Sequence, residues 1–154
     1  MKKVVLLLRV STNSQDYEYQ RSTLTDLCNI NGWEIVRTFE NKVSGAKKNE
    51  ERTEIVELLG YIKNNEVDMV MATEVSRVGR NTLEALKTIE ILNENKVNLY
   101  FANYNIETLL PDKSVNPIAR LILTICLEIS AYERNLIRYR MKAGYEEYLK
   151  KRKD

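Results

Sequence analysis

The sequence predicts an α/β domain: a mostly parallel sheet of four to five strands, flanking helices and one long C-terminal helix. Two apolar runs, Val4-Val5-Leu6-Leu7-Leu8 and VDMVMAT at residues 67–73, read as central strands buried on both faces, as parallel strands require. Segments of helical period separate these runs, the alternation that parallel strands joined by crossovers demand. From Pro117 to about Lys150 only Gly144 interrupts a helical pattern. At 1.5 Å per residue that helix is roughly 50 Å long, more than the width of such a domain.

In order along the chain, the first strand is expected to end near Leu8. A helix follows from Ser14 to about Asn31, with a cap at Asn13-Ser14, Tyr17, Leu24 and Leu27 on its inner stripe, and Asn31-Gly32 closing it. Residues 33–39, with β-branched Ile35 and Val36, form a second strand. Residues 40–49 are polar, carry Gly45 and like charges, and predict a mobile loop. A helix over about 50–65 buries Ile55, Val56, Leu58, Leu59 and Ile62. After the third strand, a helix from Asn81-Thr82 to about Asn95 turns Leu83, Leu86, Ile89 and Leu92 inward. Residues 97–102 are a fourth strand, residues 103–110 hold a short edge strand, and Pro117 opens the last helix. The division is an α/β core over 1–116 and, within the same domain, the long helix over 117–154.

Composition excludes several chemistries. The 154 residues suffice for one domain with a proper core, and a net charge of +2 means that an anionic partner must meet a local basic patch. No histidine is present, which removes imidazole general bases, Ser-His-Asp catalysis and HExxH zinc sites. Cys28 and Cys126 lack CxxC spacing and read as inert thiols. Neither GxxxxGK[ST] nor GxGxxG occurs, so no nucleotide site is expected. No signal peptide or membrane span is apparent, since 118–129 is broken by Arg120 and Glu128, and a cytoplasmic location follows by default.

Two strand ends carry the candidate chemistry. Arg9 and Ser11 follow the first strand, two residues apart, and share a face if the backbone stays extended. The carboxyl ends of central strands are where α/β sheets bind ligands. A hydroxyl there is a candidate nucleophile, and a guanidinium beside it grips phosphate or carboxylate in paired hydrogen bonds. Arg77 and Arg80 stand just beyond the third strand in the same way. Two arginine-bearing strand ends are far more specific than one.

The last helix has two characters. Ile118, Ile122, Ile125, Ile129, Tyr132 and Leu136 are spaced 4, 3, 4, 3, 4, and Leu121, Leu123 and Leu127 widen the apolar surface. One domain covers only one side of such a helix, so the remainder is expected to pair with a second copy. From residue 134 to the end, four arginines and four lysines face three acids, a net of +5, with tyrosines at 139, 145 and 148. DNA phosphates are the natural partner of such an arm.

Together, Arg9-Val10-Ser11-Thr12, Gln20, Ser44-Gly45, Arg52, Arg77-Val78-Gly79-Arg80 and Glu133-Arg134 resemble the catalytic domain of the serine recombinases, the resolvase/invertase family, over essentially the whole chain. The resemblance implies a resolvase-like fold and site-specific DNA recombination without cofactor, metal or ATP. It implies double-stranded DNA as substrate, a homodimer, and a tetramer during strand exchange.

It assigns Ser11 as nucleophile, Arg9 and Arg77 as contacts to the scissile phosphate, and Arg80 as the group that stabilises the transition state or protonates the leaving oxygen. It assigns Arg52 as a cation closing in from the loop, and Gln20 as the residue that orients Arg9 or the phosphate. Asn41, Ser44, Glu74 and Ser76 are supporting residues, and Glu133 and Arg134 are expected where the long helix meets the active-site face. Arg138, Arg140, Lys142, Lys150, Lys151 and Arg152 are the DNA-contacting residues of the arm.

Three positions depart from the family pattern. Ser76 stands where an Asp usually precedes R-x-x-R, Asn41 where an Asp precedes the S-G loop, and Leu7 where a Tyr is common; Glu74 and Glu40 are the carboxylates that could replace them. Family members usually continue into a DNA-binding domain, so a catalytic fragment is expected here. The alternative is a catalytically silent DNA-binding or dimerisation module on the same fold.

Overall fold

The computed structural model describes residues 1–10, 14–42, 53–79 and 82–153. Five strands, β1 (Lys3–Val10), β2 (Glu34–Lys42), β3 (Met69–Ala72), β4 (Asn98–Phe101) and β5 (Ile106–Glu107), form one sheet in the order β2-β1-β3-β4-β5. The first four are parallel and β5 is antiparallel to β4. Among the described residues four α-helices accompany them: α1 (Ser14–Asn31), α2 (Thr53–Asn64), α3 (Thr82–Glu94) and α4 (Pro117–Lys153).

The unbroken apolar run of β1 follows from its position. Val5 and Leu7 pack with Leu58, Leu92, Leu99 and Leu123 on the face covered by α2, α3 and α4. Val4, Leu6 and Leu8 face the other way, onto Leu24 and Cys28 of α1. Residues 4 to 8 are all 2% exposed or less, as a strand sandwiched between helical layers must be.

Strand order fixes where function can sit. β1 has β2 on one side and β3 on the other, so the connections from β1 to β2 and from β2 to β3 run in opposite directions across the sheet, with the switch between β1 and β3. Such a switch point leaves a crevice at the strands' carboxyl ends. The β1–β3 register runs from Val4↔Met69 to Leu6↔Met71, whereas β1 and β2 stay paired to Val10↔Lys42.

Several boundaries differ from expectation. β1 extends past Leu8 through Arg9 and Val10, and β2 past Phe39 through Glu40, Asn41 and Lys42, because these two ends continue to pair. The first three residues assigned to a mobile loop are therefore strand; residues 43–49 and the start of the second helix at 50–52 lie outside the described residues. Val56 and Leu83, expected inward, are 69% and 64% exposed. Helical phase explains both. Ile55, Leu58 and Ile62 take the inner face of α2 as expected, and Ile89 and Leu92 that of α3 together with Ala85, so Val56, next to Ile55, and Leu83, two positions before Ala85, are turned off those stripes.

Helix ends are closed locally. Gly32 takes a φ of +69° and Trp33 N–H reaches back to the Cys28 carbonyl at 2.9 Å, a left-handed C-cap that favours glycine. Asn116 caps α4 by accepting from the amides of Ile118 and Ala119 at 3.2 and 3.3 Å, ahead of Pro117 in the first turn. α4 has 37 residues, about 55 Å at the helical rise. It buries Ala119, Leu123 and Leu127 and exposes Ile118, Leu121, Ile122, Ile125, Ile129 and Tyr132. Among the described residues no helix is long and apolar enough to cross a membrane.

Candidate active site

Strand order brings Arg9 and Arg77 to the same end of the sheet although 67 residues lie between them. Arg9 is the penultimate residue of β1, and Arg77 ends a 3₁₀ turn, Val75–Arg77, that follows β3 at the same edge of the sheet.

Past Leu6, β1 has no register partner in β3. Gln20 of α1 takes over this role for Arg9. Its Oε1 accepts from the Arg9 amide at 2.9 Å, and its Nε2 donates to the Arg9 carbonyl at 2.9 Å, so the carboxamide pairs with the strand as a neighbouring peptide would. Gln20 is 1% exposed. A buried amide is tolerated there because both its ends are bonded.

Asp16, four residues earlier and hence on the same side of α1, completes the next link. Its Oδ2 accepts from Gln20 Nε2 at 3.0 Å and lies 3.5 Å from an Arg77 guanidinium nitrogen. The same nitrogen donates to Glu74 Oε1 at 2.7 Å. Arg77 is buried, and two carboxylates compensate its charge, as burial of a guanidinium requires. Arg77, Asp16 and Glu74 form one ion cluster, which Gln20 joins to the backbone of Arg9.

Tyrosines frame this group. Tyr17 donates to Glu40 Oε1 at 2.5 Å, and that bond, reinforced by burial and the carboxylate's charge, raises the Tyr17 pKa. Tyr104 follows β4; burial, then the charge of Glu74, raises its pKa, with Arg77 acting weakly in the opposite sense. Tyr19 reaches Asn103 Oδ1 at 3.3 Å. Burial also raises the Cys28 thiol, which lies in the core away from the site.

Gly79 has a packing reason. A Cβ at this position would come 2.3 Å from the Ala85 backbone nitrogen of α3. The turn after β3 can therefore lie against α3 only without a side chain.

The expected site residues divide into groups. Arg9, Gln20, Glu74 and Arg77 are brought together, with half-buried Ser76 in the same turn as Arg77. Asn41 is the β2 register partner of Arg9. Ser11, Ser44, Arg52 and Arg80 lie outside the described residues. Of the two replacement carboxylates, Glu74 bonds Arg77, whereas Glu40 bonds Tyr17. Glu133 and Arg134 lie on the exposed part of α4 past Leu127, and Arg138, Arg140, Lys142, Lys150, Lys151 and Arg152 are exposed further along it. Sequence reasoning missed Asp16, although its spacing of four from Gln20 placed both on one side of α1.

Comparison with known proteins gives this arrangement its class. The model of the resolvase N-terminal domain matches residues 4–153, so the chain belongs to that family, whose fold is that of serine recombinase catalytic domains. The chain is 28% identical over 139 residues to the transposon Tn1546 resolvase of Enterococcus faecium, covering 90% of this chain and 66% of that protein. It therefore spans about two thirds of the length of such relatives. Its fold is similar to the N-terminal catalytic domain of TP901-1 integrase, with a TM-score of 0.63 at 30% identity over 88% of this chain and 98% of that one. A resolvase family site-specific recombinase from Streptococcus pneumoniae gives a TM-score of 0.64 at 27% identity, over 94% and 95% of the two chains.

Proposed function

We propose that this chain is the catalytic part of a site-specific DNA recombinase that cuts and rejoins duplex DNA through a covalent phosphoserine. Ser11 Oγ attacks a scissile phosphorus; the P–O3′ bond breaks, the 3′ oxygen leaves as a hydroxyl, and the 5′ phosphate stays on Ser11 as a diester. Rejoining runs the same exchange backwards with a new 3′ hydroxyl. One ester replaces another, so bond energy is conserved and ATP is not needed. Phosphoryl transfer depends on positioning and on neutralising equatorial oxygens, which arginines supply without a metal.

The observation that supports the reading is that Arg9 and Arg77 stand at the carboxyl ends of the neighbouring strands β1 and β3, with Ser11 two residues past Arg9 in sequence. Arg9 and Arg77 contact the phosphate, Arg80 assists the leaving oxygen, and Arg52 adds charge from its side. Gln20 holds Arg9. The exposed apolar face of α4 pairs two copies, and two such dimers make the tetramer in which strands exchange in the cytoplasm. The basic end of α4 follows DNA phosphates, with affinity that falls steeply as salt rises.

The complete gene product, incubated with the duplex DNA flanking its gene and quenched in detergent, tests this on a denaturing gel. A protein–DNA adduct is expected, absent in Ser11→Ala while salt-sensitive DNA binding persists. An adduct that survives Ser11→Ala removes the nucleophile. DNA binding without adduct in the wild type favours the silent module, with Ser76 and Asn41 as its cause.

A further inference from the structure

We propose that Asp16 is a positioning residue that joins the two arginine-bearing strand ends, so that Arg9 and Arg77 meet a phosphate as one preset pair. The proposal rests on the recombinase reading for its chemistry and on this chain's geometry for its linkage.

One oxygen, Asp16 Oδ2, is 3.0 Å from Gln20 Nε2 and 3.5 Å from the Arg77 guanidinium. Gln20 in turn holds both backbone groups of Arg9 at 2.9 Å. A continuous path thus runs Arg9–Gln20–Asp16–Arg77, from β1 through α1 to the turn after β3. Glu74 bonds Arg77 more closely, at 2.7 Å, but lies three residues from it in the same turn. It sets the conformation of Arg77 within that turn and fixes nothing relative to β1. Asp16 comes from another element and supplies that reference.

The surroundings suit the task. Asp16 stands in the first turn of α1, where the helix dipole favours a carboxylate. Gln20 and the Arg77 side chain are 1% and 8% exposed, so neither has room for alternative rotamers. A pair of guanidiniums grips a phosphate only if their spacing is held, and a misplacement of about 1 Å costs on the order of 10²-fold in rate.

The test separates linkage from chemistry. In the first arm, the complete gene product is given the duplex flanking its gene, and both equilibrium binding and the adduct-forming rate at saturating protein are measured for wild type, Asp16→Ala and Asp16→Asn. Asp16→Ala is expected to slow adduct formation by about 10- to 100-fold while DNA affinity stays unchanged or tightens. Asp16→Asn, which still offers an acceptor to Gln20, should recover part of the rate. An Asp16→Ala rate within twofold of wild type, or parallel loss of binding and rate in both variants, overturns the proposal.

If wild type forms no adduct, the recombinase reading fails and the second arm decides the linkage. Arg77→Met, or Arg77→Lys should Met unfold the chain, is followed by amide NMR. Its effect on the Arg9 amide and the Gln20 side-chain amide should be present with Asp16 and absent in the Asp16→Ala background. Equal shifts in both backgrounds overturn it.

Discussion

At the ends of β1 and β3, Gln20 and Arg77 are buried and half-buried Asp16 lies between them, each bonded to a partner from another element: Gln20 to Arg9, Asp16 to Arg77. Along α4 past Leu127 no described residue is buried, and isoleucines, tyrosines and a row of cations lie open to solvent. The first region is completed by the monomer. With the exposed Ile118, Leu121, Ile122 and Ile125 before it, the second gives α4 an apolar face of six side chains, more than a monomer normally leaves in contact with water. A substitution in the first region should therefore be felt as lost stability, and one in the second as lost association.

Gly79→Ala should show the largest effect. A Cβ 2.3 Å from the Ala85 nitrogen forces the turn off α3, and we expect a loss of about 3 kcal/mol in urea unfolding. A loss below about 1 kcal/mol would mean that the strand-end region yields easily. Gln20→Ala comes next. It leaves the amide and carbonyl of Arg9 without their side-chain partner, for about 2 kcal/mol by the same measurement.

The paired change Ile122→Asp and Ile129→Asp should cost the monomer within about 0.5 kcal/mol, because both are surface positions. Sedimentation should nevertheless shift to the monomer mass. If the variant sediments like wild type, α4 is not the surface that pairs.

The smallest effect concerns Tyr17. Its pKa is raised in the fold, chiefly by the bond to Glu40, so the stability it contributes is intact below the ordinary tyrosine value near 10 and disappears as pH climbs through the raised one. The stability difference between wild type and Tyr17→Phe should therefore shrink between pH 8 and pH 11. A difference constant over that interval shows that the Tyr17–Glu40 bond contributes nothing.

What could be read from sequence follows the same division. The α/β class, the boundaries of α1, the Pro117 start of α4 and its two apolar faces were legible because periodicity and capping are local signals. The end of β2 was not, because Glu40, Asn41 and Lys42 are polar and become strand only through pairing with Leu8, Arg9 and Val10. Val56 and Leu83 were misjudged because an apolar side chain next to a helical stripe looks like part of it until the helix phase is known. Arg9, Gln20 and Arg77 stood out through motif and position. Asp16 did not, since its meaning depends on an arginine 61 positions away that strand order brings alongside it.

The unequal pairing of β1 gives the sheet a fork. One tine, β1 with β2, runs on to Val10, while β3 parts from β1 after Leu6, and beyond the fork the carboxamide of Gln20 holds the backbone of Arg9. Arg9 rides on the first tine and Arg77 on the other. The link between them thus runs through two side chains, Gln20 and Asp16, rather than through a ladder of backbone bonds, so the opening of the fork is set by side-chain length and not by strand register.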